Sequence, residues 1–129
     1  MTLVFSRRLA IAAGLLLPPL ETVRRWHQLG DVRVWPFWLD DCAIGLLLLH
    51  SAWRTRRDRK GGHPFLAAAW GVACGMGYGS FFSQLASADQ ADPSGISSTV
   101  VVAMKGAMLA LAVTALVGTL RWKATAIID

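Results

Sequence analysis

Lys105 is the only charged residue between Pro93 and Leu120, in an otherwise apolar stretch. An ionised lysine at that depth of a membrane costs at least about 2.5 kcal/mol unless it is paired or hydrated. Three carboxylates are available to it. Glu21 closes the first apolar run, and Asp40 and Asp41 open the second. Asp41 is the expected partner, with Asp40 and Glu21 as alternatives. A lysine on a helix leans toward its own N-terminus, which points Lys105 toward these acids. His50 falls on the same helical face as Asp40, so the two could serve as stations of a proton path. The alternative for His50 is an interfacial histidine holding a hydrogen bond.

Such a set supports one function and two structural roles. The function is a polar cavity that takes an ion, a proton or a small solute. The first structural role is a buried ion pair that fixes how helices assemble. The second leaves Glu21, Asp40 and Asp41 among lipid headgroups while Lys105 snorkels. Other chemistry is not encoded. There is no Ser-His-Asp order, P-loop, zinc motif or dinucleotide glycine pattern, so neither a metal nor a cofactor is expected. His27 and His63 read as loop residues, which leaves no facing histidine pair for haem. Cys42 and Cys74 lie inside apolar runs without metal spacing and read as inert thiols.

The elements that must carry these residues are apolar helices. Of the 129 residues 54% are hydrophobic and 16% charged, which is a membrane composition for one domain. Trp26, Trp35, Trp38, Trp53 and Trp122 flank the apolar runs, as interfacial aromatics do. The expected fold is all-α, an integral membrane four-helix bundle with spans at about 9–26, 35–53, 65–88 and 95–120. Ser6-Arg7-Arg8 resembles the start of a secretion signal, but no Ala-x-Ala site follows, so a retained first helix is expected. Pro18-Pro19 should break or bend that helix and free the carbonyls of Gly14 and Leu15. Pro36 suits a first helical turn. Gly61-Gly62-His63-Pro64 reads as a turn before the third span. Ser94, Ser97 and Ser98 are candidate caps for the fourth.

Net charge is +5, which could suggest nucleic acid. The basic residues bracket apolar spans instead, so they read as a topology signal and no nucleic-acid partner is expected. Arg54, Arg56, Arg57, Arg59 and Lys60 crowd the link between the second and third spans. If that link is cytoplasmic, so are Arg7, Arg8, Arg121 and Lys123, and both termini lie inside. Arg24, Arg25, Arg33 and the acidic loop with Asp89 and Asp92 then lie outside.

Small residues recur four apart on the third span, as Ala67, Gly71, Gly75, Gly79 and Ser83. The fourth span repeats the pattern with Gly106, Ala110, Thr114 and Gly118. In lipid, such faces let backbones approach closely. The two helices are neighbours, so their small faces are expected to meet, although a second copy or another membrane protein would serve as well. The resulting expectation is a non-enzymatic membrane subunit or assembly partner in the bilayer, most simply the bacterial inner membrane. The alternatives are a small oligomeric transporter or proton-coupled carrier, or a membrane enzyme acting on lipid or quinone.

Overall fold

The computed structural model describes residues 2–92 and 94–126. The side chain of Lys123, counted above in the orientation, lies outside the described residues. Four helices follow one another, α1 (Leu3–Arg24), α2 (Trp35–Arg57), α3 (Arg59–Ala86) and α4 (Ser98–Ala126), with short 3-10 turns at Trp26–Gln28 and Val32–Val34. Among the described residues there is no strand. Helices α1, α3 and α4 are long and apolar enough to cross a membrane. Helix α2 falls short of them, because it carries Asp40 and Asp41 near one end and Arg54, Arg56 and Arg57 at the other.

Helix α1 starts earlier than the apolar run suggests, because the Thr2 hydroxyl caps it by accepting from the Phe5 amide at 3.3 Å. It also runs unbroken through Pro18 and Pro19. Of the expected break or bend, the break does not occur, and the packing around the prolines accounts for it. The freed Gly14 oxygen lies 3.1 Å from where a Cβ on Gly45 would stand, and the Pro18 ring lies 2.6 Å from the same point. Helices α1 and α2 therefore cross with Gly14 against Gly45, a contact that only glycine at both positions permits. Neighbouring helix backbone supports the bend-prone segment.

The expected turn at Gly61–Pro64 is helix instead. Only Asp58 separates α2 from α3, and its carboxylate caps α3 by accepting from the Lys60 amide at 3.1 Å. Pro64 removes one backbone bond, to the carbonyl of exposed Lys60 near the helix end, where the loss is mild. Gly62 packs on the Thr55 backbone of α2, so the glycines serve a close crossing and not a turn. His63 is consequently buried at 5% exposure.

Helix α1 packs on α2, α2 on α3 and α3 on α4, while α1 and α4 meet sparsely. That closing contact is polar. Trp70 Nε1 donates to Ser6 Oγ at 3.0 Å, and Ser6 meets Thr119 Oγ1 at 2.6 Å. The Thr119 hydroxyl is also 2.7 Å from the Ala115 oxygen, a geometry in which Ser6 donates to Thr119 and Thr119 to Ala115. His63 Nε2 donates to the Thr119 carbonyl at 2.6 Å, which requires the proton on Nε2. Ser6, Trp70 and Thr119 are each at least 97% buried, so each is a polar group satisfied in the core. Leu3, Leu48, Ala52, Leu66, Ala69 and Ala115 fill the space around them.

This closed end carries Arg7, Arg59 and Arg121 around one shallow depression, together with the α2–α3 junction. The basic clusters named from sequence therefore share an end. At the opposite end lie the 25–34 and 87–97 segments, and there the helices part. Many large apolar side chains, including Leu16, Leu46, Val72, Val113 and Val117, face outward along the bundle. An apolar exterior over a small polar-stapled core is what a lipid solvent selects.

Candidate functional site

Where the helices part, a cleft of about 590 Å³ opens between all four. Its deep walls are apolar, with Leu9 and Ala13 of α1, Ile44 and Leu48 of α2, and Trp70 and Ala73 of α3. Its mouth is charged. Glu21, Asp40, Asp41 and Lys105 all line it, so the four charged residues singled out from sequence converge on one space. Each comes from the loop-end half of its helix. That arrangement follows from alternating helix direction, which brings the end of α1 beside the starts of α2 and α4.

The pairing differs from expectation. Among the described residues, Lys105 forms no ion pair with Asp41. Its Nζ donates to Gln84 Oε1 of α3 at 3.1 Å. Helices α2 and α4 are diagonal in the bundle, so Asp41 and Lys105 face each other across the cleft. Glu21 is already engaged, by Arg24 at 3.2 Å and by Arg25 at 3.0 Å. Asp40 and Asp41 have no hydrogen-bond or ion-pair partner among the described residues.

Arg24 organises the mouth. Its Nη1 bonds Glu21, while Nη2 donates to Asp92 Oδ1 at 2.8 Å and to Gln84 Oε1 at 3.3 Å. One guanidinium thus ties α1 to α3 and to the α3–α4 loop, using the fork geometry that suits several acceptors. Its Nε is buried without a partner among the described residues. The Asp92 side chain is fully buried. Burial alone would raise its carboxyl, but hydrogen bonds from Arg24 and from the Ser94 hydroxyl and amide hold it below the ordinary carboxylate range. Sequence reading used Arg24 and Asp92 only to orient the chain, on the outer side of the membrane, and did not join them to the polar cluster. The spacing that could have flagged Arg24 is its position one turn after Glu21.

The remaining sequence-chosen residues do not join the cleft, with two exceptions. His50 is exposed on α2 and stacks on Trp53 at 5.9 Å between ring centroids. Gly71 and Gly75 are exposed, Ala67 is half-buried, and Ala110 and Thr114 are exposed on α4. Gly79 and Ser83 border the cleft. Gly71, Gly75 and Gly79 have nothing within 4 Å of where a Cβ would stand. Helices α3 and α4 do pack, but with Phe81 3.1 Å from where a Cβ on Gly106 would stand and Leu109 3.4 Å from where one on Gly77 would, so the two ladders do not interlock as expected. Gly118 is buried. Cys42 and Cys74 are free and half-buried. No group of three His, Cys, Asp or Glu side chains suited to a metal occurs among the described residues. No family model matches this chain, and no curated protein or solved structure matches it significantly.

Proposed function

We propose that the chain is a multi-pass membrane protein that holds a small solute in the cleft between its helices, without a catalytic step. The observation that carries this reading is the convergence of Glu21, Asp40, Asp41 and Lys105 on one open space of about 590 Å³, a volume suited to a small-molecule site. Ionisable groups within membrane helices cost free energy and mark solute or ion paths by default. In this reading α2 is a fourth crossing, with its two aspartates facing the cleft and not the lipid. The basic end lies in the cytoplasm, both termini with it, and the cleft opens to the other side of a membrane such as the bacterial inner membrane. The test uses Ser80→Cys, at the cleft wall, in a chain with Cys42 and Cys74 replaced by serine. A membrane-impermeant thiol reagent should label it in sealed vesicles only from the side opposite Arg54–Lys60. Protection from both sides would overturn the reading.

A second reading, a subunit of a membrane assembly, is favoured by one specific contrast. Gly14, Gly45, Gly62 and Gly106 are each covered by a neighbouring element, whereas Gly71 and Gly75 have nothing among the described residues within 4 Å of where a Cβ would stand, and Gly79 borders the cleft. Their spacing suits a helix of a second copy or of another membrane protein. Cross-linking through Val72→Cys in membranes, lost on Gly75→Leu, would support it. Cross-linking indifferent to Gly75→Leu would remove it.

A further inference from the structure

The charges at the cleft mouth do not balance uniformly, and the imbalance has a direction. Glu21 and Asp92 are satisfied by Arg24 and Arg25. Lys105 rests on a neutral amide oxygen of Gln84. Asp40 and Asp41 line the cleft from the start of α2 with no donor directed at either among the described residues. Two carboxylates are therefore left open at the mouth, where the open donors, Arg24 Nε–H and the remaining Lys105 N–H groups, belong to cations that are not directed at either. Setting the four satisfied charges aside, the two aspartates against Lys105 leave one uncompensated negative charge. Below them the walls turn apolar, and the lining side chains that stay partly exposed include Leu17 of α1 and Ala73 and Met76 of α3, while Ile44, Leu48 and Trp70 are already buried.

We infer that the cleft takes an amphiphile with a single N–H-bearing ammonium head, seated between Asp40 and Asp41, with its apolar body along Leu17, Ala73 and Met76. This rests on the cleft being a solute site and adds the class of solute. An ammonium brings the mouth to neutrality and supplies the donors that the two carboxylates lack, through charge-assisted hydrogen bonds. The apolar body covers the partly exposed wall at these residues, which otherwise faces water in the open cleft. Lys105, across the cleft, disfavours a second positive charge on the body and so selects a monocation.

The test is equilibrium dialysis of 4-phenylbutylamine against nanodiscs holding the full chain, with empty nanodiscs subtracted. Neutral 4-phenylbutanol and anionic 4-phenylbutyrate are the comparison probes. Saturable binding of the amine alone is expected, weakened about tenfold or more by Asp41→Asn, as loss of a charge-assisted bond implies. Exposed Asp40→Asn, which has no structural contact to lose, should weaken it as well and covers the case in which Asp41→Asn does not fold. Equal binding of amine and alcohol, or amine binding indifferent to both substitutions, would overturn the ammonium assignment. If butyrate or the alcohol binds saturably and Ser80→Trp abolishes it, the cleft remains a solute site and only the class is wrong. If no probe binds above empty discs, both the class and the solute site fall.

Discussion

Arg24 of α1 and Asp92 of the α3–α4 loop meet at 2.8 Å, with the Asp92 side chain fully buried. This contact joins the first helix to the loop that precedes the last, at the end where α1 and α4 otherwise stand apart. Removing the arginine leaves a buried carboxylate held by Ser94 and, at 3.5 Å, by the Gln84 amide. Arg24→Gln should cost on the order of 3 kcal/mol, the lower end for breaking a buried pair, because the Ser94 bonds survive. Thermal unfolding in detergent measures it. A cost below about 1 kcal/mol would show the pair to be solvated.

The same contact sets a pH response. The Asp92 carboxyl is held below its ordinary range, against the opposing effect of burial, by the Arg24 and Ser94 hydrogen bonds. A depressed folded value means that the unfolded chain takes up its proton first as pH falls. The stabilisation is therefore complete above the ordinary carboxylate pKa of about 4, and is lost as pH drops below it toward the folded value. Amide exchange in the 87–97 segment should be flat in its Asp92-dependent part from about pH 7 to 5 and quicken below about 4. Asp92→Asn should abolish the pH dependence. Loosening between about pH 7 and 5 that needs Asp92 would contradict it.

Glycines in this chain divide by what covers them. A Cβ on Gly45 would stand 2.6 Å from the Pro18 ring, and one on Gly14 would stand 2.7 Å from the Gly45 oxygen. Gly45→Ala should therefore cost about 1–3 kcal/mol as α1 and α2 are forced apart. Gly75→Ala meets open space and should leave the isolated chain unchanged or slightly more stable, since alanine favours helix. Comparable losses at the two positions, read by thermal unfolding of the solubilised chain, would show that the Gly75 face is covered within the chain.

These contrasts show what the sequence could and could not reveal. Depth along an apolar helix was enough to group Glu21, Asp40, Asp41 and Lys105, because alternating helices bring equal depths together. Pairing within the group was not legible, since it depends on which helices are neighbours and which are diagonal. Gly14 and Gly45 each stand alone in sequence without a repeat, and only the register of α1 against α2 gives them a role. The four-residue repeat at Gly71, Gly75 and Gly79 was conspicuous and yet meets no neighbouring helix among the described residues. His63 was hidden by Gly-Gly-His-Pro, a turn composition that the Asp58 cap and the Gly62–Thr55 crossing override. Arg24 was read only as an outer-side charge in the topology count, because nothing in the sequence shows that Gln84 and Asp92 come within its reach.

Lys105 offers the sharpest test of the cleft's electrostatics. Its Nζ bonds a neutral amide oxygen, and Asp41 stands across open space. Were the two an ion pair, removing either would strand a charge, and removing both would restore much of the loss. The observed geometry requires something else. Lys105→Met should give up one hydrogen bond to Gln84, about 1 to 2 kcal/mol, and regain part of it through a desolvated charge removed. Asp41→Asn should cost little, having no partner to lose. The double variant should then sum the single effects to within about 0.5 kcal/mol, as residues without a shared contact do. A double-mutant cycle by thermal or denaturant unfolding gives the coupling directly. Coupling above about 1 kcal/mol would mean that the cleft closes and pairs these residues in the membrane, and the open carboxylates assigned to a ligand would already have their cation.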